Sequence, residues 1–134
     1  MKKVRISRDK NVENTVREIL KSRARSRIYT YLLGKDGVRT EKIIKGTHLH
    51  PSTVRETLSK MYEQKLIYRE KIKNDNIGKN PYIYYAISPV ALLKKYSSEI
   101  EDRLNKLVIL AFSKEERKDY RPVKIKINER VEDA

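Results

Sequence analysis

The chain contains no cysteine, no tryptophan, one phenylalanine, four glycines, four prolines and two histidines. The missing cysteines exclude disulfides, thiolate metal sites and cysteine nucleophiles, and make the cytosol the default compartment. Four glycines leave no room for a phosphate-cradling glycine loop. His48 and His50 are two apart, a spacing that does not bring two rings together on a helix, so no zinc site is expected. Paired carboxylates in an apolar setting are also missing. Neither an enzyme nor a cofactor-binding protein is therefore expected. No run of about 18 apolar residues occurs, which argues against a spanning helix. The basic start Met1-Lys2-Lys3-Val4-Arg5 is not followed by the apolar stretch of a secretory signal.

Positive charge is present in excess. Over 134 residues, 32 lysines and arginines face 18 acids, for a net charge of +14. Residues 1–11 carry +4, residues 12–112 carry +9 and residues 113–134 carry +1. Most of the excess thus lies on the segment with core-forming periodicity. Such a charge favours a polyanionic partner with salt-dependent binding. The competing reading is lysine used for solubility, and only a nucleic-acid-reading motif separates the two. High Lys and Glu, with Gln64 the one glutamine, also fit a protein from a hot environment.

Hydrophobic residues are 38% of the chain, enough for one modest core. Lys2–Ser7 reads as a short strand or a disordered basic arm. Val12, Val16, Ile19 and Leu20 predict a first helix over 12–20. Ser22 can cap a second helix running to Leu33, with Ile28, Tyr31 and Leu32 inward, stopped by Gly34 and Gly37. Val38-Arg39 is an extended link, and Thr40 caps a short helix over Glu41–Lys45. Gly46 is expected to permit a sharp turn. His50 stands at the next cap and Pro51 at N1 of a helix reaching Gln64, which buries Val54, Leu58 and Met61. Leu66–Ile72 and Tyr82–Ile87 read as a hairpin around a polar loop of about eight residues. Ser88-Pro89 opens a long helix to Phe112, and Val123, Ile125 and Ile127 alternate with lysines as a last short strand. The predicted organisation is a basic arm or strand (1–11), a folded domain (12–88), a long helix (89–112) and a charged segment (113–134). The predicted class is α+β, mainly α: a winged helix-turn-helix with a long C-terminal helix and short terminal strands.

Four stretches carry a resemblance: Arg-Ala-Arg-x-x-Ile-x-x-Tyr-Leu-Leu at 23–33, Ser-Thr-Val-x-x-x-Leu at 52–58, Leu-Ile-Tyr-Arg at 66–69 and Asn-Pro-Tyr-Ile-Tyr-Tyr-Ala-Ile-Ser-Pro at 80–89. Their order and spacing over about residues 22–90 resemble the winged helix-turn-helix of archaeal and bacterial transcription regulators of the MarR, ArsR and TrmB kind, small archaeal regulators above all. The resemblance implies a double-stranded DNA partner, a recognition helix over 51–64 and a wing over 73–80. Such regulators usually have Gly where Lys65 stands, so Lys65 must take a left-handed conformation or the turn must differ. They also cap the recognition helix with Ser or Asn, where this chain has His50.

With Val54, Leu58 and Met61 buried, Ser52, Thr53, Arg55, Glu56, Ser59 and Lys60 point outward. Arg55 is the best base reader, because its fork matches guanine O6 and N7. Ser52, Thr53 and Ser59 can bond a base or a phosphate. Glu56 can accept from cytosine or restrain Arg55. The expected phosphate contacts are Arg23, Arg25, Thr40, His50, Lys60, Lys71, Lys73 and Lys79. Cations at the start of a helix oppose its dipole, so Arg23 and Arg25 need another reason to be there; phosphate contact and surface solubility are equal rivals. The alternative for the whole set is a solvated face. The tyrosines of the second helix and the return strand fit half-buried core positions better than base stacking.

The long helix carries Leu93, Tyr96, Ile100, Leu104, Leu107 and Ala111 at steps of three or four, a stripe expected to pair two copies into a homodimer; the alternative is a helix folded back on its own domain. A cytoplasmic, nucleoid-associated transcription regulator is the leading expectation. An architectural chromatin protein and a protein-interaction or RNA-associated winged domain are the alternatives. No small-molecule effector, membrane or metal is expected.

Overall fold

The computed structural model describes residues 10–72, 81–116 and 119–128. The expected arm at 2–7, the wing residues 73–80 and the last six residues lie outside them. The chain divides into two compact units, Met1–Ser88 and Pro89–Ala134.

In the first unit the order is α1 (Lys10–Leu20), α2 (Arg23–Leu33), β1 (Val38–Arg39), α3 (Thr40–Thr47), α4 (Pro51–Glu63), β2 (Ile67–Lys71) and β3 (Tyr82–Ala86). Lys21 at φ 56 and the extended Ser22 turn the chain between α1 and α2. Ser22 Oγ accepts from the Arg25 amide at 3.2 Å, the capping bond its position predicts. The inward face of α2 is Ser26, Ile28, Tyr29 and Leu32. Tyr29, not Tyr31, is the buried tyrosine: it is 1% exposed and its hydroxyl donates to Ile87 O at 2.9 Å. Positions 28, 29 and 32 lie on one helical stripe, whereas Tyr31 sits at its edge and covers α3.

Of the two glycines after α2, Gly37 carries the positive φ, 87°. A Cβ there would also lie 2.6 Å from Ile83 Cγ2 and 2.9 Å from the Tyr85 ring. The link Val38-Arg39 is a two-residue strand, antiparallel to β3 with Val38 opposite Tyr84. β3 also pairs antiparallel with β2, so the sheet order is β1-β3-β2. Strand alternation turns Val38, Ile67 and Tyr84 into the core, while Tyr68 and Tyr85 stack on the other face at 4.9 Å.

α2 packs against α3, α4 and β3, and α3 against α4, around Leu20, Ile28, Tyr29, Leu32, Ile43, Val54, Leu58, Met61 and Leu66. Helices α2, α3 and α4 with a three-stranded antiparallel sheet at their side, and α1 packed on α2, make this unit a winged helix-turn-helix, and the chain as a whole is α+β and mainly α.

The second unit departs from the expected single helix to Phe112. α5 runs Pro89–Lys106 and passes into a 3₁₀ turn at Leu107–Leu110. Tightening of this kind is common in a last turn, and it shifts Leu107 and Ala111 off the α-helical stripe. The expected strand at 123–127 is an extended segment that pairs with no strand among the described residues. It is held by the side chain of Asn105, whose amide donates to Val123 O at 3.0 Å and whose oxygen accepts from Val123 N–H at 2.9 Å. Asp102 with Arg121, 2.6 Å apart, adds an exposed ion pair. The alternation of Val, Lys and Ile marks an extended chain. It does not say whether a strand or a side chain satisfies that chain's amides.

Candidate nucleic-acid interface

The turn between α3 and α4 is built differently from what its glycine implies. Gly46 lies within α3 and has no positive φ; the left-handed residue is His48, at φ 59 and ψ 22. Gly46 is needed for closeness, because the ring of Tyr31 rests where its Cβ would stand. Thr47, 3% exposed, secures the turn through its hydroxyl, which donates to Ile43 O at 2.6 Å and lies 3.4 Å from the Leu49 amide.

His50 caps α4 in the predicted place, with extended backbone and Pro51 beginning the helix. Its Nδ1 accepts from the Ser52 amide at 3.2 Å and lies 2.8 Å from Ser52 Oγ. The hydroxyl of Ser52 is thus tied to the cap. Val54, Thr57, Leu58 and Met61 are buried, a stripe one residue wider than the spacing predicts. Opposite them Ser52, Arg55, Glu56, Ser59 and Lys60 are exposed and Thr53 is half-buried. Arg55 and Glu56 form no ion pair with each other among the described residues, and Arg55 has no other polar partner there. The guanidinium is free to meet an external group.

α4 ends in a Schellman turn. The Leu66 amide donates to Met61 O at 2.9 Å and the Lys65 amide to Tyr62 O at 3.1 Å, with Lys65 left-handed at φ 61. The glycine-type geometry is kept without the glycine. β2 follows at once, so the hairpin is joined to α4 by three residues, 64–66. Arg69 in β2 lies between two rings, its guanidinium carbon 3.9 Å from the Tyr62 centroid and 4.2 Å from that of Tyr82.

The expected phosphate contacts are scattered in environment. Arg23, His50, Lys60 and Lys71 are exposed. Arg25 is half-buried and donates to Leu20 O at 3.4 Å, closing the end of α1, which gives this cation a structural use. Thr40 is 3% exposed and is the first residue of α3 rather than its cap, a position held by Arg39 without a side-chain bond. Lys73 and Lys79 fall outside the described residues. Sequence reasoning missed the exposed Lys42 and Lys45 on α3, which only their charge marks, and the Arg69 sandwich, whose three members lie 7 to 20 positions apart in the chain.

Burial pushes the Tyr29 hydroxyl up to about 12. Desolvation first, then Glu70, Asp36 and Tyr68, raise that of Tyr85. Among the described residues no cluster of His, Asp or Glu could hold a metal ion. No helix among them is long and apolar enough to cross a membrane.

Neither a protein-family model nor a curated protein matches the chain. Solved structures do. A possible transcriptional regulator from Methanosarcina mazei Go1 is similar at a TM-score of 0.57 and 23% identity, over 72% of this chain and 85% of that one. A mutant of MepR from S. aureus, bound to an oligodeoxyribonucleotide, is similar at 0.49 and 22%, over 80% and 78%. A MarR-family regulator from Silicibacter pomeroyi is similar at 0.47 and 18%, over 81% and 73%. At 23% identity the first of these likenesses is one of fold, and it is the winged helix-turn-helix that the elements define.

Proposed function

We propose that the protein is a double-stranded DNA-binding transcription regulator that lays α4 in the major groove and its β2–β3 hairpin along the adjoining backbone or minor groove. One observation carries the reading: an amphipathic helix presents Arg55, Glu56, Ser59 and Lys60 outward, with Arg55 unpartnered, in a chain of net charge +14. A major groove about 12 Å wide admits one such helix. The description of the Methanosarcina mazei structure as a possible transcriptional regulator agrees with this reading.

Arg55 reads a guanine, with Thr53, Glu56 and Ser59 as secondary base contacts. Ser52 joins them only by leaving His50. Lys60, Lys71, Arg23 and His50 contact phosphates, and Lys73 and Lys79 extend that set. Thr40 has no part in the interface, because it is buried. The working form is a homodimer through α5, in the cytoplasm and associated with the nucleoid. No step of this reading calls for a cofactor, metal or catalytic group.

The architectural alternative draws on the spread of charge over the folded segment. Selection of bound duplexes from a random pool separates the two: a recovered motif assigns a regulator, and none assigns an architectural protein. On a selected site, Arg55→Ala weakens binding by about 1–3 kcal/mol and relaxes preference at one base pair. If specific and random duplexes lose affinity equally, Arg55 is a phosphate contact only.

A further inference from the structure

We infer that Arg69 is a positioning residue for duplex binding, a bolt between Tyr62 and Tyr82 that holds the hairpin at a set angle to α4. The inference rests on the DNA-binding reading and adds a part to it. Tyr62 lies in the last turn of α4, Arg69 is the middle residue of β2 and Tyr82 opens β3, so one guanidinium touches all three elements that would meet the duplex. Its carbon is 3.9 Å from one ring centroid and 4.2 Å from the other, within the range of a cation–π contact on both sides. The register explains the meeting. Arg69 stands opposite Tyr84 and Lys71 opposite Tyr82, so Tyr82 is a diagonal neighbour of Arg69 on the same face. Tyr84 is 6% exposed and lies 6.3 Å from Tyr82, which backs that ring from the core side.

Arg69 forms no ion pair among the described residues, so rings rather than a carboxylate fix its plane. The rings cover its two faces and set its plane, so its N–H groups can donate only along the edge that the rings leave open. Covalently, α4 and β2 meet through three residues, of which Lys65 is left-handed. The sandwich closes the open side of that joint. It makes the hairpin and the helix one body, so that Lys71, exposed two residues further along β2, arrives at the backbone already placed when Arg55 meets the bases. A planar guanidinium stacks on two rings at once, which a compact ammonium does not reproduce.

Duplex affinity on a selected site, thermal unfolding and arginine side-chain NMR test this together. Arg69→Lys keeps the charge and is expected to weaken binding roughly tenfold, in line with loss of a partly desolvated cation–π pair. Tyr62→Phe keeps a ring and binds as wild type, whereas Tyr62→Leu behaves like Arg69→Lys. In the wild-type background Lys71→Ala weakens binding several-fold and flattens the salt dependence; added to Arg69→Lys it changes affinity less than about twofold, the sign of coupled sites. The Arg69 Nε–H resonance carries an upfield ring-current shift that Tyr62→Leu removes, and all variants stay folded at the binding temperature. Wild-type affinity in Arg69→Lys, or an equal cost of Lys71→Ala in both backgrounds (no cost included), overturns the bolt and leaves DNA binding standing. A wild-type chain that fails to bind any duplex at low salt overturns the DNA-binding reading, and the bolt's role with it.

Discussion

Gly46 shows how one missing Cβ positions a helix pair. The ring of Tyr31 occupies the space a side chain would take, drawing α2 and α3 together. Gly46→Ala would gain about 1 kcal/mol of helix propensity but incur about 1–3 kcal/mol of overpacking. It is expected to lower the unfolding midpoint in the native chain and to raise it in a Tyr31→Ala background, and chemical denaturation of the four proteins reads the change of sign. Tyr29 makes the second residue-scale prediction. Its hydroxyl, held at about 12, stays protonated in the folded state after the unfolded chain has begun to lose its proton near 10. A folded pKa raised above the unfolded one means stability that is full below pH 10 and lost as pH rises toward 12, by up to about 3 kcal/mol. Tyr29→Phe forfeits the bond to Ile87 O, about 1 kcal/mol, but removes this alkaline component, so the two stability–pH curves converge above pH 10. The sequence marks both tyrosines as apolar positions of one helix; they flank Ile28 and Leu32 on opposite sides, and spacing alone does not say toward which side the buried stripe widens.

At the scale of elements, boundaries follow local chemistry where a cap or a proline marks them. Ser22, His50 and Pro51 stand where the capping rules place them, and Lys65 adopts the left-handed geometry that the helix-to-strand turn demands. Elements whose ends depend on distant groups are less legible. α5 gives way to a 3₁₀ turn just past Asn105, the residue that binds Val123 from 18 positions away. Asn105 is 7% exposed, and both of its polar groups are used on one backbone unit. Asn105→Asp keeps an acceptor for Val123 N–H but sets a second acceptor against Val123 O. The expected result is release of the extended segment, seen as fast amide exchange at Val123, with α5 itself retained. Slow exchange in that variant would show that other contacts hold the segment.

At the scale of the whole molecule, charge and exposed apolar surface are the properties that matter. On α5 Leu93, Ile100 and Leu104 are 52%, 47% and 40% exposed and recur at helical spacing, an apolar row of the kind that takes a partner. Tyr96 is half-buried, and Leu107 and Ala111 are exposed at the 3₁₀ turn, off the stripe of α5. A second copy of the chain is the proposed cover. Sedimentation at micromolar concentration is expected to give a dimer for the wild type and a monomer for Ile100→Glu; a wild-type monomer ends this part of the proposal. A twofold dimer would set two α4 helices about 34 Å apart, the spacing of successive major-groove faces, and a pseudo-palindromic selected site would report it.

By itself the sequence determined the helix-turn-helix order, the hairpin that follows it, the buried face of α4 and the polyanion-seeking charge. Each is written in nearest-neighbour periodicity, capping chemistry or composition, which act over a few residues or need no geometry. Only the tertiary structure decided that Gly46 serves Tyr31, that Thr40 is hidden, that Asn105 holds Val123 and that Arg69 lies between Tyr62 and Tyr82. Those arrangements join groups far apart along the chain, and nothing in the local pattern of either partner specifies the other until the core has brought them together.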